Sequence, residues 1–251
     1  MSAYAALSRA TYKATVRDAT TLFFTFAFPL VFLVIFGLIF RGQEVGDTGR
    51  GYIDYIAPGV LSWGLASAAL FGVSFTLMQW RNDDLLRIIR LSPASLWSVI
   101  GSRYVVALAI GVAQSVLFVG VAMLPGFGMR PDATWPLAIP TMLLAVTAFL
   151  ALGLIVGSRA NTAEAVAAIA NCIVVPMAFL SGSFYPLELM PGWLQGISKA
   201  LPLRYVNDGM AYAFTSFGTM TDYLVSCAAL LAFGAVFAVI GVRTFRWSNN
   251  S

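Results

Sequence analysis

Six stretches of this chain, Thr21–Phe40, Tyr55–Met78, Tyr104–Leu124, Trp135–Gly157, Ala165–Leu180 and Tyr223–Val242, contain no Asp, Glu, Lys or Arg. A bilayer core needs roughly 20 such residues in helical form to cross it, and a backbone inside it must satisfy its own hydrogen bonds, as a helix does. The pattern predicts an all-α integral membrane protein with six transmembrane helices, at 21–40, 55–78, 103–124, 135–157, 163–180 and 223–242. Charged residues are 10% of the 251, against about 25% in soluble domains. The chain therefore reads as a single domain, 1–251, with no room for a separate soluble part.

One apolar stretch resists this treatment. Ser181–Arg204 carries Phe184, Leu187, Leu189, Met190, Trp193, Leu194, Ile197 and Leu201, yet Pro186, Pro191 and Pro202 interrupt it. Each proline removes a backbone donor and disfavours helix in the residue before it. Broken backbone at membrane depth is tolerated only where protein or a water-filled cavity receives it. The expectation is a re-entrant or interface-lying segment over 181–204.

The connections add further expectations. Arg9, Lys13 and Arg17 share one stripe of residues 1–20, which suits an amphipathic interface helix. Arg81–Arg90 is the most charged stretch; Asp83 or Asp84 can cap a short helix over 83–92, which Ser92-Pro93 stops. Trp80 is expected to anchor at the membrane interface, and Pro29 to kink the first span. Gly153 and Gly157 permit close helix approach, and Asn161-x-x-Glu164 resembles a capping box for the fifth span. Alanines at 163, 165, 167, 168 and 170 suit a crowded centre, whereas the Phe-rich first span is expected to face lipid. Ten basic residues, Arg9, Lys13, Arg17, Arg81, Arg87, Arg90, Arg103, Arg159, Arg243 and Arg246, fall on the side of the termini, and five, Arg41, Arg50, Arg130, Lys199 and Arg204, fall opposite. The positive-inside bias then places both termini in the cytoplasm and the broken segment outside.

Several chemistries are excluded. Histidine is absent, which removes His-Glu-x-x-His zinc sites and hydrolases that need an imidazole base. Neither Lys13 nor Lys199 follows a glycine, so no phosphate-binding loop of the Gly-Lys-Ser/Thr type exists. Asp83-Asp84 has no further carboxylate to complete a metal site. Cys172 and Cys227 read as small buried side chains, and the net charge of +4 reflects topology, not a nucleic-acid partner. Gln114, Ser115, Thr147 and Asn171 are the deep polar groups, expected to bond across helices. Asn171 and Pro176, just before the broken segment, are the pathway candidates. A transporter using ATP would need a separate ATPase, for which the 83–92 helix is the first docking candidate and the 1–20 helix the second; an ion-coupled carrier or channel is the alternative, resting on Gln114 and Asn171.

Ser181-Gly182-x-Phe184-x-Pro186-Leu187-x-x-Met190-Pro191-x-Trp193-Leu194, followed by Leu201-Pro202-Leu203-x-Tyr205, resembles the hallmark of the permease subunit of ABC-2 type transporters. The likeness is to the short daunorubicin-resistance-like export permeases of actinobacteria. Tyr55-x-x-Pro58-Gly59 and Arg87-x-x-Arg90-Leu91-Ser92-Pro93 support it. The resemblance implies a bacterial inner-membrane subunit without catalytic residues of its own, assembled with a second permease, identical or homologous, and two cytoplasmic ATPases that hold ATP and Mg. It implies coupling to those ATPases through Asp83, Asp84, Arg87, Arg90, Leu91 and Pro93. It further implies an outer gate at Phe184, Pro186, Leu187, Met190, Pro191 and Trp193, a pathway along the second and fifth spans, and a drug, lipid or glycoconjugate as cargo.

Overall fold

The computed structural model describes residues 23–44, 51–83 and 96–244. The interface helix expected at 1–20 lies outside them, as does the coupling helix expected at 83–92 apart from its first residue. Regular structure among the described residues is helical, with one isolated bridge between Glu44 and Gly51. In chain order the helices are α1 Phe28–Ile39, led by a π-helical turn Phe23–Ala27, then α2 Tyr52–Asn82, α3 Leu96–Ala122 and α4 Ala138–Arg159, led by a 3-10 turn Trp135–Leu137. There follow α5 Ala163–Leu180, a 3-10 turn Leu187–Leu189, α6 Gly192–Ser198, α7 Pro202–Thr215 and α8 Met220–Thr244. Five helices, Tyr52–Asn82, Gly101–Ala122, Trp135–Arg159, Ala163–Leu180 and Met220–Thr244, are long and apolar enough to cross a membrane; Thr25–Ile39 is a shorter apolar helix.

The bundle is built around α2, which packs against α1, α3, α4, α5 and α7. Small residues make this possible. A methyl on Gly153 would lie 2.6 Å from the Leu70 carbonyl oxygen, and one on Gly157 would lie 2.7 Å from that of Ser74. The two glycines thus bring α4 onto the backbone of α2, where the Ser74 hydroxyl donates to the Gly153 carbonyl at 2.9 Å. α2 is also longer than expected, running from Tyr52 to Asn82 instead of 55–78, because both of its ends find partners far along the chain.

Pro29 shows how a break is repaired between helices. Proline has no N–H to offer the carbonyl four residues earlier, here that of Thr25. The Gln114 amide of α3 donates to the Thr25 oxygen instead, at 2.7 Å, so Gln114 does bond across helices; Thr147 also reaches Tyr104 Oη of α3, at 3.4 Å, besides the Leu143 carbonyl of its own helix, whereas Ser115 turns back onto Gly111.

Three expectations about surfaces need correction. α5 is not the crowded centre: Val166, Ala170, Val174, Met177 and Ala178 are its buried stripe, while Ala163, Ala168, Asn171, Cys172, Val175, Pro176 and Phe179 are exposed. Free Cys172 is therefore exposed and Cys227 only half-buried. On α1, Phe32, Phe36 and Phe40 turn inward onto the core, and Val31, Ile35, Leu38 and Ile39 form the exposed side.

The broken stretch does not end at Arg204. Its prolines start helices as well as stopping them: Pro186 precedes the Leu187–Leu189 turn, Pro191 precedes α6, and Pro202 occupies the first turn of α7, where a missing N–H costs nothing. α7 runs on to Thr215, and Leu203, Val206, Met210 and Ala213 bury its inner stripe. Its last carbonyls are taken by the α3–α4 connection: Asp132 N–H donates to Phe214 at 2.9 Å, and Thr134 Oγ1 donates to Ala213 at 3.1 Å. At 14 and 7 residues, α7 and α6 are both too short to cross a bilayer.

Candidate functional site

The carbonyl groups of the Ser181–Tyr185 turn are collected by side chains from α2 and α7. Tyr52 Oη donates to Phe184 O at 2.7 Å, and Tyr55 Oη donates to Gly182 O and, at 3.0 Å, to Tyr185 O. Asn207 Nδ2 donates to Ser181 O at 2.7 Å and pairs with the Ser183 hydroxyl. Gly182 has φ +82, a left-handed conformation that disfavours side chains. Gly59 completes the seat, since a methyl there would drive into the Ser183 backbone, with Cα at 3.0 Å. Tyr55-x-x-Pro58-Gly59 is thus the docking surface for the turn: Tyr55 binds it and Gly59 admits it.

Phe184 points into an aromatic cluster. Its ring lies 5.1 Å from Trp63, 5.3 Å from Phe179, 5.5 Å from Phe32 and 6.1 Å from Phe36, so one side chain ties the turn to α1, α2 and α5. Edge and offset contacts of this kind add about 0.5–1.5 kcal/mol each beyond area burial. The expected gate residues therefore divide. Phe184 and Pro186 are buried, Leu187 and Met190 half-buried, and Pro191 and Trp193 exposed, Trp193 by 68%.

The other end of α2 holds a second junction. Arg81 is 3% exposed; its guanidinium donates to the carbonyls of Ser158 and Ala160 and, at 2.7 Å, to Asn161 Oδ1. Asn82 Nδ2 donates to the Asn161 carbonyl at 2.9 Å. Because Asn161 is engaged there, Thr162 caps α5, accepting from Ala165 N–H at 3.2 Å, which corrects the expected capping box. Arg103 stacks on Trp80, 5.4 Å from the ring centroid. Asp83 is exposed at the C-cap of α2. Asp84, Arg87, Arg90, Leu91 and Pro93 lie outside the described residues.

Asn171 and Pro176 sit on the exposed side of α5. They do not join either junction. Sequence reasoning missed Tyr52, Asn207 and Arg81, since each acts through a partner that is distant in the chain or a backbone carbonyl that carries no residue signature. Among the described residues no group of three His, Cys, Asp or Glu side chains could hold a metal.

These features define a multi-pass membrane protein whose built sites are helix junctions of tyrosine, asparagine, arginine and glycine. Residues 2–215 match the ABC-2 type transporter family, and the chain belongs to it. It is 23% identical over 211 residues to the inner membrane transport permease YadH of Escherichia coli, covering 79% of this chain and 82% of that one. It is 29% identical over 241 residues to the daunorubicin resistance ABC transporter permease protein DrrB1 of Streptomyces coeruleorubidus, covering 88% and 78%. With the linearmycin resistance permease protein LnrN of Bacillus subtilis it shares 27% over 209 residues, covering 82% and 51%.

Proposed function

We propose that the chain is the membrane subunit of an ATP-driven exporter, paired with a second permease and served by two cytoplasmic ATPase subunits that bind ATP and Mg. The observation that carries this reading is the uncovered side of α5, where Asn171 stands among Ala168, Val175 and Phe179 on the outside of a membrane-length helix. A side-chain amide facing hydrocarbon is costly and calls for a partner. A second permease or passing cargo supplies one.

The rest of the reading follows from charge and family. Ten basic residues against five favour a cytoplasmic side for both termini, Arg81 and the charged 83–92 segment, with the Ser181–Tyr185 turn at the outer face. The first apolar segment then completes six spans, and α6 with α7 forms a re-entrant outer element. The resistance permeases among its relatives favour an amphipathic drug or lipid as cargo. Of the two residues that would motivate an ion-coupled carrier, Gln114 is already bonded to Thr25, and Asn171 stands on the exposed side of α5.

The test is co-purification with an ATPase encoded beside it, followed by reconstitution in liposomes. The expected result is a stable complex whose ATP hydrolysis depends on the permease and drives efflux of a lipophilic dye. Efflux that continues without ATP and collapses with the proton gradient overturns the reading.

A further inference from the structure

Arg81 lies in the last turn of α2, and its guanidinium is almost wholly withdrawn from solvent. A buried guanidinium is tolerated when its donors are met, and here one short piece of chain accepts from both Nη1 and Nη2. Ser158 O belongs to the last turn of α4, Ala160 O to its C-cap, and Asn161 Oδ1 to the residue before the α5 cap. The first two are orphan carbonyls at the negative end of a helix dipole, where a planar fork of donors fits and a lysine point charge does not. Met78, Ala160 and Val166, with Phe75 and Ala165, form an apolar cluster around the junction.

Holding α2 against α4 does not require this arrangement. Gly153, Gly157 and the Ser74 hydroxyl already do so one to three turns deeper. What distinguishes Arg81 and Asn82 is that their acceptors run from Ser158 through Asn161, past the end of α4 to the threshold of α5. They are also the last two residues of α2, immediately before Asp83, where the charged 83–93 segment begins. A displacement of the end of α2 thus reaches the α4–α5 turn through two side chains. From there α5 leads to Ser181 and the turn that Tyr52 and Tyr55 hold.

We propose that Arg81 is a positioning residue of the transport cycle, which ties the end of α2 to the α4–α5 turn so that α2 and α5 shift together. The proposal rests on the ATP-driven reading above. It assigns Arg81 a role in transmission and none in nucleotide or cargo binding.

The experiment uses the permease–ATPase complex in nanodiscs and reads deuterium uptake across residues 156–168 with and without ATP plus vanadate. The wild-type turn is expected to change its exchange when nucleotide is trapped. Arg81→Lys, which keeps the charge and loses the fork, is expected to assemble, to hydrolyse ATP within about twofold of wild type, and to lose the nucleotide-dependent change in the turn. Asn161→Ala, which removes one acceptor and leaves Arg81 in place, is expected to lose part of it. A wild-type turn that ignores nucleotide, or an Arg81→Lys turn that responds as wild type does, overturns the proposal. So does an Arg81→Lys that fails to assemble while Asn161→Ala responds fully, because Arg81 then serves folding alone. Failure of the wild-type chain to form any ATPase complex is a different result, which removes the ATP-driven reading itself.

Discussion

The hydroxyl of Tyr52 donates to the carbonyl oxygen of Phe184 over 2.7 Å and across 132 residues of sequence. Without that donor a buried carbonyl is left in apolar surroundings, at a cost of about 1–3 kcal/mol. Tyr52→Phe retains the ring against Phe40, 4.3 Å between centroids, and is expected to lower stability by that amount while preserving helix content. Tyr55→Phe acts on the neighbouring carbonyls of the same turn, so the double variant is expected to lose less than the sum of the singles. Unfolding in mixed micelles followed by circular dichroism measures both quantities.

Gly59→Ala and Gly72→Ala are a matched pair on one helix. A methyl at 59 meets the Ser183 backbone, which cannot swing aside, whereas a methyl at 72 meets nothing within 4 Å. Gly59→Ala is expected to destabilise by about 1–3 kcal/mol and to free the Ser181–Tyr185 turn, read as faster proteolysis or higher labelling of a cysteine placed at Tyr185. Gly72→Ala is expected to be neutral or stabilising by up to about 1 kcal/mol.

Gly153→Ala and Gly157→Ala each insert a methyl against α2 backbone oxygens at 2.6 and 2.7 Å. Either is expected to push α4 away from α2, weaken the Ser74–Gly153 hydrogen bond and cost about 1–3 kcal/mol. Gly120→Ala, which meets no atom within 4 Å, is the control. The melting temperature of the detergent-solubilised chain distinguishes them.

Gln114→Leu strands the Thr25 carbonyl that Pro29 already leaves without its helical donor. The expected loss is about 1–3 kcal/mol. Pro29→Ala returns an N–H to α1, so Pro29→Ala with Gln114→Leu is expected to recover much of that loss. A double-mutant cycle on unfolding free energies reads this directly; strict additivity would mean that Gln114 stabilises something other than the interrupted helix.

What could be read from the sequence was whatever depends on neighbours along the chain. Uncharged runs marked α3, α4, α5 and α8 closely, and the Phe184–Trp193 motif marked the break. The extension of α2 was hidden because Tyr52 and Arg81 look like flanking residues until Phe184 and Asn161 are brought beside them. α7 was not foreseen for a related reason: Asn207 acts by facing Ser181 and Ser183, and Gly209 by letting Thr141 approach, with its Cγ2 2.8 Å from where a methyl would stand. The capping box failed at Asn161 because Arg81, 80 residues away, outcompeted the local helix end. Of the turn and its seat, the Ser181–Trp193 and Tyr55–Gly59 motifs were legible in the sequence, whereas the division of Phe184, Pro186, Leu187, Met190, Pro191 and Trp193 into buried and exposed members depended on α1 and α2.

The grip of α2 on residues so much later has a consequence for how the protein is made. Ribosomes add about 5–20 residues per second, so the 132 residues between Tyr52 and Phe184 take roughly 7–26 s to appear. At the start of that interval the future centre of the bundle sits in the membrane with two tyrosine hydroxyls and a guanidinium still awaiting their acceptors. Arg81 is served first, when the α4–α5 turn emerges, and Tyr52 and Tyr55 last. Synthesis halted between those points would leave a chain closed at one face of the membrane and open at the other, the form that membrane quality control would meet.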